Sequence, residues 1–171
     1  MFNSLRYATF DDFQALMLPY KGENVSFLIL LPEQRNGLQA LENSLTSEKL
    51  SVILDSLYVR SVSVSLPEFK FEFQEDLSVK IQELGANKAF ARNAADFSGL
   101  TSGSQVFISN VIHKAVIEVN EEGSEAAAAS GIGDELSAAY NFIADHPFLF
   151  GIIETGSRSN MVLFLGRVNN L

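Results

Sequence analysis

Residues 113–136 read HKAVIEVNEEGSEAAAASGIGDEL and change character twice within a short span. In the first third, Ala115, Ile117 and Val119 fall on one face while Lys114 and Glu118 fall on the other, the period of a half-buried strand. Glu121, Glu122 and Gly123 end that strand. From Ser124 to Gly131 there is almost no side-chain bulk, so this backbone can lie close against another backbone. The residues alone leave two readings open. Four alanines behind Ser124 and Glu125 suit a short helix, because alanine has the best helix propensity and serine is a good N-cap. They equally suit a ribbon whose small side chains pack anywhere.

On the downstream side, Pro147–Ile153 and Met161–Val168 are apolar runs joined by Glu154–Asn160. Their chemistry predicts an antiparallel hairpin buried on both faces. Upstream, Val106–Val119 reads as one long strand and 87–105 as a loop. Asp76 is placed to cap a helix through Leu77, Ile81 and Leu84, closed by Gly85. Ser61–Pro67 and Phe69–Gln74 alternate strictly, and the stripe Phe69, Phe71, Phe73 is expected in the core. Two amphipathic helices are predicted from Leu38, Leu41 and Leu45, and from Leu50, Ile53, Leu54 and Leu57 behind Thr46 and Ser47. Phe2–Tyr7 and Phe13–Leu18 are strands around a turn, and Val25–Leu31 is apolar enough to be covered on both faces. The class is therefore α+β, mostly antiparallel sheet with a few short helices.

Composition narrows the function. With 171 residues, 47% of them apolar, the chain can bury a substantial core. A net charge of -9 and the lack of any basic cluster argue against nucleic acid and against a heparin-type polyanion. There is no cysteine, so disulfides and thiolate metal sites are excluded. The two histidines, His113 and His146, are too few for a zinc site, and Glu118, Glu121, Glu122 and Glu125 lack the spacing of a calcium loop. Gly131-Ile-Gly133 lacks the strand-to-helix context of a phosphate loop. No apolar run approaches membrane-spanning length, and the N-terminus has no signal-peptide core. No Gly-x-Ser-x-Gly elbow is present, so no catalytic residues, metal or cofactor are expected.

Three stretches in order carry a resemblance: Glu121-Glu-Gly-Ser-Glu-Ala-Ala-Ala-Ala-Ser130, then Phe142-Ile-Ala-Asp-His-Pro-Phe-Leu-Phe150, then Leu163-Phe-Leu-Gly-Arg-Val-Asn-Asn170. Together they resemble the C-terminal half of the serpin (serine protease inhibitor) domain. Leu18-Pro-Tyr-Lys-Gly22, Ser26–Pro32 and Ala95–Leu100 are similar to it at corresponding places. The resemblance implies a serpin-like fold in which residues 1–171 are a partial domain and 121–140 the hinge and reactive-centre loop. Glu121, Glu122, Gly123, Ser124, Glu125, Ala126, Ala127, Ala128, Ala129 and Ser130 match the hinge. His113 matches the shutter histidine, although the residues alone favour a hydrogen-bonded core histidine there.

The function so implied is that of a suicide substrate: a protease cleaves the loop, the loop inserts as a strand, and the acyl-enzyme is trapped. Counting back from Pro147 places the scissile bond at Leu136-Ser137, and counting forward from Gly123 places it at Ser137-Ala138. No Lys or Arg lies between Lys114 and Arg158, which favours an elastase-like or chymotrypsin-like serine protease. On insertion, Ser124, Ala126, Ala128, Ser130 and Ile132 face inward, all small or apolar. Asp134 falls on the same face and should slow the last part of insertion. The alternative is a non-inhibitory serpin-like binding or chaperone protein. The absent N-terminal half leaves a sheet edge open to self-association and implies that the fragment alone is inactive. An extracellular location is expected, with the cytoplasm as alternative.

Overall fold

The computed structural model of the chain describes residues 2–22, 24–100, 106–120, 140–155 and 160–170. In chain order the elements begin with β1 (Phe2–Thr9), β2 (Phe13–Pro19) and β3 (Val25–Pro32), then α1 (Leu38–Ser44) and α2 (Ser47–Asp55). They continue with β4 (Tyr58–Ser65), β5 (Phe69–Asp76), α3 (Ser78–Glu83), α4 (Asn87–Phe90) and β6 (Ile112–Val119). Last come β7 (Tyr140–Ile143), β8 (Phe148–Thr155) and β9 (Asn160–Val168). The chain divides into two units, Met1–Phe69 with Val119–Leu171 and Lys70–Glu118, although no linker-like composition marks either boundary.

The first unit holds a seven-stranded sheet in the order β7-β4-β1-β2-β3-β8-β9. Its neighbours are antiparallel except β4 and β7, which run parallel. Alternation along the central strands divides their side chains between two faces. On one face Phe13, Ala15 and Met17 of β2, Leu28 and Leu30 of β3, and Leu149 and Ile153 of β8 pack with Leu38 and Leu41 of α1 and Ile53 of α2. The other face carries Leu16, Phe27, Ile29 and Phe148, all buried, with the rings of Phe27 and Phe150 stacked at 5.5 Å. Phe69 reaches this cluster, its ring centroid 6.1 Å from Phe148 and 6.3 Å from Phe150. This two-sided burial is what the unbroken apolarity of Val25–Leu31 predicts.

The local chemistry of the connections follows the sequence. Gly22 takes φ +99° in the β2–β3 turn, where a side chain would be strained. Thr46 accepts the Lys49 backbone N–H at 3.2 Å and starts α2. In the second unit Asp76 accepts the backbone N–H of Ser78 at 2.9 Å, and Gly85, at φ +103°, follows the C-cap of α3.

Three expectations are corrected. β8 is buried, but β9 is exposed along most of its length, since it is the last strand of the described sheet and no layer among the described residues covers its side chains; Leu165 is 63% exposed. Residues 106–111 are not strand: their backbone is engaged by the small helices instead, with Ile108 N–H bonded to the Ala89 carbonyl and Val111 N–H to the Ser78 hydroxyl. The aromatic stripe of β5 is not core, because among the described residues that strand lies in a two-stranded sheet with β6; Phe69 and Phe71 are half-buried and Phe73 is 51% exposed.

Candidate functional site

The hinge residues Glu121–Ser130 and the reactive-bond residues Leu136, Ser137 and Ala138 lie outside the described residues, as does Asp134. The structure shows the strands on either side of them. On the upstream side is β6, paired with β5. Lys70 bonds Glu118 at 2.8 Å and Glu72 bonds Lys114 at 3.1 Å, so partners run in opposite order along the two strands, as antiparallel pairing requires. The Glu118 carboxylate raises the affinity of the Lys70 ammonium for its proton, first by the hydrogen bond and then by charge. Ala115, Ile117 and Val119 are half-buried and Lys114 and Glu118 exposed, the alternation that the residues predict.

His113, the second residue of β6, is exposed, so the core-histidine expectation fails. Its ring lies 6.1 Å from that of Phe73, tilted by 57°. The reason is the same as for Phe73: a face of a two-stranded ribbon is not an interior.

The downstream side is β7, whose Phe142 is fully buried while Tyr140 and Ile143 are exposed. Tyr140 lies 5.0 Å from the Tyr7 ring, and the two join Tyr58, Arg60, Thr9 and Ser56 around a shallow cleft. Burial raises the Tyr7 phenol above its ordinary value. After β7 the chain is fastened at Asp145 and His146. His146 places Nδ1 2.7 Å from an Asp145 carboxylate oxygen and Nε2 2.6 Å from the Pro32 carbonyl oxygen. Arg35 donates to the other Asp145 oxygen at 2.8 Å and to the Asp145 backbone carbonyl at 2.9 Å. The hydrogen bond with His146, followed by that from Arg35, holds the Asp145 carboxyl below the usual carboxylate range.

Neither the tyrosine cleft nor this fastening is visible in the sequence reading. Arg35 and Asp145 are 110 residues apart and belong to no local motif. The only available signal was Asp145-His146-Pro147, a charged pair before a proline at the edge of an apolar run.

Comparison with known proteins gives the following. The family model described as Serpin (serine protease inhibitor) matches residues 1–171. Iripin-3 of Ixodes ricinus is 40% identical over 173 aligned residues, covering 98% of this chain and 43% of that protein. Intracellular coagulation inhibitor 2 of Tachypleus tridentatus is 42% identical over 162 residues, covering 92% of this chain and 39% of its own length. Among solved structures, uncleaved ovalbumin superposes with a TM-score of 0.81 at 32% identity, over 98% of this chain and 46% of the other. The chain thus spans less than half the length of the proteins it matches.

Proposed function

This chain belongs to the serpin family of serine protease inhibitors, and on that premise we propose that the protein of which it forms part inhibits a serine endopeptidase as a suicide substrate. The observation that carries the reading is the composition of residues 124–132. Every second side chain, Ser124, Ala126, Ala128, Ser130 and Ile132, is small or apolar, and on insertion the intervening Glu125 would fall on the opposite, solvent side. A strand of that composition can enter between packed neighbours without displacing them, because side chains alternate between faces and only the inward set must fit. Cleavage would join the protease's serine to the carbonyl carbon of Leu136 or Ser137 as an ester and release the new amino terminus at Ser137 or Ala138. Insertion of the ribbon then carries the esterified protease away from its docked geometry.

The lack of any Lys or Arg between Lys114 and Arg158 supports an elastase-like or chymotrypsin-like target. Asp134 on the inward face opposes complete insertion, so Asp134→Ala should raise the fraction of protease trapped; an unchanged or lower fraction would count against that face assignment. For location, the relative from Tachypleus tridentatus is named intracellular, so an extracellular location gains no preference over the cytoplasm.

The test is made on the full-length protein. Incubation with elastase and, separately, chymotrypsin is expected to yield a complex that survives boiling in detergent. Cleavage without such a complex would select a non-inhibitory serpin-like binding or chaperone protein instead.

A further inference from the structure

We propose that His146 is a proton-dependent clamp: with both ring nitrogens protonated it donates to the Asp145 carboxylate and to the Pro32 carbonyl, tying the connection between β7 and β8 to the end of β3. The argument starts from what each partner can do. A carboxylate and a backbone carbonyl only accept, and they stand 2.7 and 2.6 Å from the two ring nitrogens. A neutral imidazole has one N–H and one lone pair, so either tautomer sets a nitrogen lone pair against an oxygen lone pair at hydrogen-bond distance. The His146 side chain is 10% exposed, which leaves little room for water to intervene.

A neutral ring could be accommodated if Asp145 held a proton and donated it. Arg35 opposes that arrangement, since its guanidinium lies 2.8 Å from the second carboxylate oxygen and favours the charged form. The charged groups arranged around the imidazole are thus Asp145 on its own connection and Arg35 on the β3–α1 connection. Glu33, next to Pro32, is engaged by the Gln14 side-chain amide at 3.1 Å. The clamp joins points 114 residues apart in the chain and closes the stretch that leads from Tyr140 into β8.

The signs of the two titrations oppose each other. The imidazolium contacts exist only while the ring holds both protons, and they are lost when it gives one up toward higher pH. Asp145, whose carboxyl is held low in the folded chain, contributes above the ordinary carboxylate range and loses that contribution as pH falls through its depressed value. The clamp is tightest between those limits.

Long-range proton–nitrogen correlation spectra of the ¹⁵N-labelled chain distinguish the ring states directly, and a His113→Gln variant assigns the two histidines. At about pH 5.5, His146 is expected to show two protonated nitrogens, giving way to a single tautomer by about pH 8.5. In parallel, the urea midpoint of the wild type should fall over that interval by roughly half a molar or more, and the fall should be absent from His146→Gln. A single neutral tautomer at about pH 5.5, or an equal fall in both proteins, would overturn the proposal.

Discussion

Phe148 in β8 and Phe73 in β5 each belong to a stripe of phenylalanines in a strand of eight residues, β8 a near-continuous apolar run and β5 alternating with polar residues, yet Phe148 is fully buried and Phe73 is 51% exposed. The difference lies in what flanks each strand. β8 is paired on both sides and its side chains meet neighbours on both faces, whereas β5 has β6 as its partner in a two-stranded sheet. The ribbon is held by cross-strand ion pairs and half-buried rings, the seven-stranded sheet by close packing. Alternation therefore specifies which side chains share a face, while burial depends on whether anything lies against that face.

The contrast predicts a graded set of effects. Phe148→Ala should lower stability by about 3–5 kcal/mol, since it empties a fully packed site, while Phe73→Ala should cost less than about 1 kcal/mol. Urea unfolding monitored by circular dichroism measures both, and equal losses would break the comparison. Gly166→Ala comes next. A β-carbon there would stand 2.5 Å from Cζ of the Phe150 ring, and forcing that ring aside should cost about 1–3 kcal/mol in the same assay. Thr46→Ala removes the acceptor that starts α2, one of the two helices covering the sheet, and should cost about 1 kcal/mol. Smallest of all is Lys70→Met, which breaks the exposed pair with Glu118: its urea midpoint should differ measurably from wild type only at low salt and converge with it as ionic strength rises.

Much of this fold is legible in the residues. The paired strands at each end of Thr9–Asp12, the two-sided burial of β3, the Thr46 cap and the Gly85 stop all follow from local patterns with local causes. What the sequence hides is long-range. Residues 106–111 look like strand by composition, but their backbone partners are Ala89 and Ser78, which no periodicity announces. β9 is about as apolar as β8 but stands last in the described sheet. Of the candidate site, the sequence supplies the ribbon's composition and the family likeness, while the structure supplies its two flanks. Arg35, Asp145 and His146 meet only because β3 and β8 are neighbours, a fact of topology rather than of spelling.

The inhibitory account rests on the ribbon after Gly123 being more stable inside a sheet than outside it. The direct measurement is the thermal unfolding midpoint of the full-length protein before and after a single cleavage between Ser130 and Tyr140. Insertion predicts a marked rise after cleavage, because a strand has been added to the sheet while its covalent restraint has been removed. A midpoint that stays level or falls would contradict it.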